Sequence, residues 1–219
     1  MIGILLLGPP GVGKGTQATR LREALNLLHL STGDALRQAV RSGSPLGVRV
    51  KGIIESGSLV PDEIVGEVVD VALGEELGEK AGYLLDGFPR TTRQVQILDD
   101  LLARRGLSLD HAVLIDAPHG VILRRLTGRR VCSRCDAVYH LDSKPPAVSG
   151  RCDACGSELV QRADDREETV RERLRVYREQ TDPVASLYTS RGLLRRIDGA
   201  GPPEGVFSAI MTALGRVAT

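Results

Sequence analysis

Tryptophan is absent from this chain of 219 residues, two phenylalanines and four tyrosines are its only aromatic residues, and its formal net charge is +1. A nucleic-acid surface needs a basic stripe and usually aromatic platforms for the bases, so both shortages argue against one. Long apolar runs are missing as well. The first, Ile2 to Leu7, is too short for a bilayer and has no basic flank, so neither an anchor nor a signal peptide is expected. Cysteine occurs only at 132, 135, 152 and 155, which speaks for one local site rather than a disulfide framework. The single asparagine, Asn26, leaves no Asn-Lys-x-Asp signature of the kind regulatory GTPases use to read guanine. Lysine is confined to positions 14, 51, 80 and 144, so 25 of the 29 basic residues are arginine and none of them is informative merely for being one.

Against these shortages stands Gly8-Pro9-Pro10-Gly11-Val12-Gly13-Lys14-Gly15-Thr16, which follows an apolar run and precedes a helical pattern. Strand, glycine loop and helix in that order cradle a phosphate chain: the glycines let backbone N–H groups turn inward, the helix start adds its positive end, and Lys14 reaches the outer phosphates. The stretch departs from the general G-x-x-x-x-G-K-[ST] pattern in one respect. Gly15 follows the lysine and the hydroxyl comes one residue later, at Thr16.

The length suits one α/β domain carrying small inserted lobes. After the loop, the spacing predicts a helix from Lys14 to Leu25 and a buried strand from Leu27 to Leu30, followed by Ser31-Thr32-Gly33-Asp34 as a helix cap. Arg37 falls one turn into that helix. A helix around Leu46 to Ser56 and another from about Asp62 to Leu77 come next. Gly82 to Asp86 then delivers an acidic residue at a strand's carboxyl end, just before Gly87-Phe88-Pro89-Arg90. Ligands of open parallel sheets bind there, and a carboxylate near a phosphate loop can hold Mg²⁺ directly or through water. A helix from Thr91 to Arg105, a strand from His111 to Asp116, a helix from Gly120 to Leu126, a long helix through Arg173 to Tyr188, a strand from Leu193 to Ile197 and a helix from Pro203 to Leu214 complete the alternation. That alternation implies a doubly wound parallel sheet of five strands.

Cys132-x-x-Cys135 and Cys152-x-x-Cys155 have the spacing of a four-thiolate zinc ribbon. Residues 128–161 are poor in apolar side chains, so a metal would supply the cohesion a core cannot, and four protein ligands would leave it no position for substrate. His140 reads as a surface residue rather than a further ligand.

Taken together and in order, Gly8 to Thr16, Ser31 to Asp34, Asp86 to Arg90 with Gln94, Gly128-Arg129-Arg130, the four cysteines and Arg162 to Val170 make the chain resemble, over essentially its whole length, an adenylate kinase of the long type with a zinc-binding lid. The resemblance implies a P-loop core with two inserted lobes: core at 1–30, an AMP-binding lobe at 31–60, core at 61–127, a lid at 128–161 and core at 162–219. It implies transfer of the terminal phosphoryl of MgATP to AMP, giving two ADP, with Mg²⁺ carried by ATP and structural Zn²⁺ in the lid. Gly11, Val12, Gly13, Lys14, Gly15 and Thr16, with Arg129, Val138, Tyr139 and the backbone of Gly201, would hold ATP. Thr32, Arg37, Ser58, Leu59, Val60, Gly87, Phe88, Pro89, Arg90 and Gln94 would hold AMP. Arg162 and Arg173 would close over the phosphates between them, and Lys14, Asp86, Arg90, Arg129, Arg162 and Arg173 would carry the catalysis. A monomeric cytoplasmic enzyme without nucleic-acid or membrane partners is the expectation. The AMP phosphate is itself the nucleophile, so no general base is needed, and none of the four histidines lies in a motif.

Overall fold

The computed structural model describes residues 1–216. Strand β1 (Ile2–Leu7) leads through the glycine loop to helix α1 (Lys14–Leu25), then to β2 (Leu27–Ser31), α2 (Thr32–Ser42), α3 (Pro45–Glu55) and α4 (Asp62–Glu76). Next come β3 (Gly82–Asp86), α5 (Thr92–Arg105), β4 (His111–Asp116) and α6 (His119–Thr127). Short strands β5 (Arg129–Cys132), β6 (Val138–His140) and β7 (Leu159–Val160) follow, and α7 (Glu167–Val176), α8 (Asp182–Ser190), β8 (Leu194–Asp198) and α9 (Pro203–Ala213) close the chain.

The five long strands form one parallel sheet in the order β2-β3-β1-β4-β8. Central strand β1 is an almost unbroken apolar run because both of its faces are covered, as a parallel sheet requires. Ile4 and Leu6 point to one layer, where α1 and α9 contribute Ala18, Leu21, Val206 and Ile210. Leu5 and Leu7 point to the other, where α4, α5 and α8 contribute Val69, Leu98 and Tyr188. Each such buried aliphatic side chain contributes about 1.5–3 kcal/mol of transfer free energy, so the sheet is a stiff platform for whatever its ends carry.

The expected strands and helices stand where the apolar periodicity put them, within one or two residues. One does not run as expected: the long helix toward Tyr188 is interrupted by a π-helical turn, Tyr177–Thr181, between α7 and α8. The cause is Pro183, at the start of α8, which has no N–H and would clash with the carbonyl of Glu179 in a continuous α-helix. The segment with the cysteines contains a small antiparallel sheet, β6-β5-β7, whose strands of two to four residues carry no periodicity to be read. No described helix is long and apolar enough to cross a membrane.

Candidate active site

Register brings three strand ends together. Leu6 pairs with Asp86, and Asp86 pairs with Ser31, so the glycine loop after β1, the carboxylate ending β3 and the cap of α2 share one edge of the sheet. That edge lies where β1 has β3 on one side and β4 on the other, the crevice in which open parallel sheets take ligands. It opens into a cleft of about 1180 Å³.

The glycine loop is built by positive backbone angles. Gly8 has φ of 136°, and a Cβ there would meet the Ile115 carbonyl oxygen at 2.1 Å, so no other residue fits. Gly13, with φ of 110°, precedes α1 without offering it a side-chain cap, which leaves the first helical N–H groups to an anion. Lys14 folds back and donates from Nζ to the carbonyls of Gly8 (2.7 Å) and Pro9 (2.9 Å). Burial pushes its ammonium down to about 8, Asp86 opposes the shift, and Arg90, Arg173 and Arg129 add to it.

Around Lys14 stand five arginines, and four of them are pinned by carboxylates. Arg129 grips the fully buried Asp165 with both Nε (2.8 Å) and Nη2. Arg173 reaches Asp164 at 2.9 Å and Asp165 at 3.3 Å. Arg37 pairs with Asp34 at 2.6 Å and stands 3.9 Å from Asp164, while Arg162 stands 3.7 Å from Asp34. Burial works against the ionised form of Asp164, yet Arg173, Arg37, Arg129 and Arg162 hold its carboxyl below the usual range. Arg90 is different. Its Nε donates to the Gly87 carbonyl at 2.7 Å, and among the described residues no carboxylate pairs with its guanidinium. Burial and the neighbouring Arg173 push it down to about 10, against the pull of Asp86. Burial likewise pushes Arg162 down to about 10, with Arg37 and Arg129 adding to it. Cations crowded against one another in this way gain most when a polyanion enters.

Asp86 is buried at the floor of the cleft, near enough to Lys14 and Arg90 to pull on both, but it forms no ion pair of its own among the described residues. A hard carboxylate of that kind beside an anion site is what Mg²⁺ takes, through one oxygen or through its water shell. Thr16 lies in the same cleft with an exposed side chain.

On the opposite wall, Thr32 donates from Oγ1 to the Gly87 carbonyl at 2.9 Å, locking α2 to the loop after β3. Ser31 caps α2 by accepting from the N–H of Asp34, as its place before the helix suggests. Ser58, Leu59, Val60, Gly87, Pro89, Arg90 and Gln94 all line this side of the cleft. Phe88 does not: its ring is fully buried in the main core, and the Phe88–Pro89 peptide is cis.

The cysteines form the heart of the small sheet. Their four Sγ atoms lie within 4.8 Å of one another, with Cys132 and Cys155 at 3.4 Å and Cys135 and Cys152 at 3.5 Å. A tetrahedral Zn²⁺ with Zn–S bonds of about 2.3 Å sets its sulfurs about 3.8 Å apart, so the residues fit that ion closely. The N–H groups of Arg134 and Cys135 donate to Cys132 Sγ at 3.4 Å, and the Tyr139 hydroxyl, 3.5 Å from Cys152 Sγ, draws that thiol down to about 6. Apart from the cysteines, the buried side chains here are Val131, Tyr139 and Leu159, which is too little core to stand alone. His140 is half-buried rather than free on the surface. Its Nδ1 accepts from the N–H groups of Asp142 and Ser143, so the proton sits on Nε2, which donates to the Arg124 carbonyl at 3.2 Å and ties this lobe to α6.

Every residue expected from the sequence to touch nucleotide thus lines a single cleft, Phe88 excepted; Arg129, Val138, Tyr139 and Gly201 close one end, Gln94 and Ser58 to Val60 the other. Three functional groups escaped the sequence. Asp164 and Asp165 are buried counter-charges for the arginines; the signal was there, since arginines gathered round a ligand need carboxylates to hold them apart. Arg125 donates to the carbonyls of Val12 (3.0 Å), Gly199 (2.8 Å) and Ala200 (3.3 Å), tying the glycine loop to the segment after β8, and nothing marked it out among 25 arginines.

Residues 6–193 match the family described as adenylate kinase. Among curated relatives, the adenylate kinase of Moorella thermoacetica is 51% identical over 213 residues, 97% of this chain and 98% of that one. The adenylate kinase of Citrifermentans bemidjiense is 49% identical over 97% of this chain and 99% of its own. That of Clostridium tetani is 47% identical over 99% of this chain and the whole of its own.

Proposed function

The chain belongs to the adenylate kinase family, and from that premise we propose how its residues divide the transfer of a phosphoryl group between two nucleotides. The enzyme moves the terminal phosphoryl of MgATP to AMP and yields two ADP. Residues 128–161 act as the lid and residues 31–60 as the AMP lobe. Gly11 to Thr16 with Lys14, Arg129, Val138, Tyr139 and the backbone of Gly201 take ATP. Thr32, Arg37, Ser58 to Val60, Gly87 to Arg90 and Gln94 take AMP, with Phe88 contributing only backbone. Lys14, Asp86, Arg90, Arg129, Arg162 and Arg173 surround the phosphoryl in flight.

The observation that carries this reading is Arg90, which no carboxylate pairs among the described residues, in one cleft with Lys14 and with Arg37, Arg129, Arg162 and Arg173, which aspartates hold. Charge in the transition state spreads over the equatorial oxygens of the transferred group, so fixed cations there do the catalytic work and no proton acceptor is required. Arginine suits the task because its planar fork meets phosphate oxygens two at a time and stays charged even when burial lowers it to about 10. Asp86 is the residue that would hold Mg²⁺, which neutralises phosphate oxygens when bound. The lid keeps water from competing with AMP. We further propose a monomer acting in the cytoplasm, since one chain supplies the whole lining of the cleft.

Replacing Gln94 by Leu tests the division between the two walls. AMP affinity should fall by about ten- to a hundredfold while ATP affinity stays within about twofold, since loss of a base contact that had been hydrogen-bonded costs about 1–3 kcal/mol. Titration of each nucleotide separately measures this; equal losses for both would make the residue structural.

A further inference from the structure

Gln94 is held at both ends of its amide. Its Oε1 accepts from the N–H of Arg90 at 2.7 Å, and its Nε2 donates to Asp62 Oδ1 at 2.8 Å. Asp62, the first residue of α4, receives on its other oxygen the hydroxyl of Thr91 at 3.0 Å, and Thr91 in turn caps α5 by accepting from the N–H of Gln94. Gln94 reaches the cleft, whereas Asp62 and Thr91 stand behind it. We propose that Asp62 is a positioning residue that fixes which way the Gln94 amide faces and thereby sets the choice of acceptor base; the proposal rests on the reading of Gln94 as the residue that meets the AMP base.

A primary amide has two N–H donors and two carbonyl lone pairs. One of each is spent within the protein, so one of each remains for a ligand, in an order the network dictates. A carboxylate can only accept and a backbone N–H can only donate. With the amide turned over, its oxygen would face Asp62 and its NH₂ would face the Arg90 N–H, replacing two hydrogen bonds by two repulsions. The order matters because purine edges come in two forms. Adenine offers an N6 donor beside an N1 acceptor, while a 6-oxopurine offers an O6 acceptor beside an N1 donor. A fixed amide suits the first and leaves its polar groups opposed against the second. Removing Asp62 leaves one hydrogen bond to hold the orientation instead of two.

The test is steady-state kinetics on the full-length enzyme at saturating MgATP, with AMP and inosine monophosphate as acceptors, for Asp62→Ala, Asp62→Asn, Gln94→Leu and the Asp62→Ala/Gln94→Leu double variant. Asp62→Ala should raise KM for AMP about tenfold and narrow the AMP preference in kcat/KM by a similar factor, as expected for one buried donor left unpaired. Its KM for ATP and its kcat at saturating AMP should stay within about twofold. Asp62→Asn keeps an oxygen for Gln94 and should recover most of the AMP affinity. The double variant should be no worse for AMP than Gln94→Leu alone, because the carboxylate acts only through the amide. Two results would overturn the proposal: an unchanged KM for AMP in Asp62→Ala when Gln94→Leu raises it, or losses that add in the double variant. An equal rise in KM for ATP would make Asp62 a general structural residue and overturn it too. Gln94→Leu with unchanged KM for AMP would instead overturn the base contact itself.

Discussion

Arg90→Ala is expected to lower kcat by about a thousandfold or more, the scale seen when a cation that stabilises a transferring phosphoryl is removed. Arg90 is anchored by its Nε on the Gly87 carbonyl, and among the described residues the two terminal nitrogens of its fork have no hydrogen-bond partner in the cleft. Arg37, Arg129, Arg162 and Arg173 already share their charge with aspartates and Arg125 is spent on backbone carbonyls, so none can swing in to replace it without abandoning its partners. Arg90→Lys should recover little, since a single ammonium on a flexible stem cannot span two phosphate oxygens. The fold should be nearly indifferent to either change, because the hydrogen bond of the guanidinium to the Gly87 carbonyl is offset by repulsion from Arg173. Rapid-quench measurement of the first turnover, with melting curves alongside, checks this. A variant that kept a tenth or more of wild-type turnover would show that Arg90 does not meet the transferring group.

The second large effect is expected from Cys132→Ser combined with Cys152→Ser. Four thiolates saturate Zn²⁺ and leave no position for substrate, so the metal acts only through the order it gives residues 128–161. That order reaches the cleft directly. Arg129 opens β5, three residues before Cys132, and Arg162 follows β7 by two. With the metal gone, Val131, Tyr139 and Leu159 are too small a core to hold the three short strands, and both arginines lose their fixed geometry. Turnover should fall by about a hundredfold, the scale of one lost oxyanion donor or more. Melting temperature should fall by about 5–10 °C, given about 2–4 °C per kcal/mol for a domain of this size. ATP should still bind, more weakly, because Lys14 and the glycine loop belong to the core sheet. Metal analysis, melting and ATP titration on the double variant test each part. Wild-type melting and turnover in a zinc-free protein would remove the metal from the account.

The sheet was legible in the sequence because central parallel strands must be apolar on both faces, and runs such as Ile2 to Leu7 and His111 to Asp116 meet that demand between capped helices. The glycine loop and the cysteine ligands were legible for a different reason: their chemistry fixes residue type and spacing at once. What could not be read depends on partners distant in the chain. Asp165 looks like any acidic residue in a charged stretch until Arg129, 36 positions earlier, is seen to grip it. Arg125 bridges loops 113 and 74 residues away, and Asp62 meets Gln94 across 32. The strands β5 to β7 are too short to have a period, and the π turn after α7 follows from a proline whose clash is evident only once the helix is built.

Two nucleotides in one cleft, with fixed cations between their phosphates and an amide of fixed orientation on the acceptor side, make a specific demand on the acceptor. The direct measurement is ADP formation from MgATP with AMP, UMP and CMP supplied in turn to the purified enzyme. Two ADP per transfer are expected with AMP, and a kcat/KM for AMP at least about a hundredfold above that for either pyrimidine nucleotide, because a site built to hydrogen-bond one base leaves its polar groups unpaired against another. UMP or CMP accepting the phosphoryl as well as AMP would contradict it.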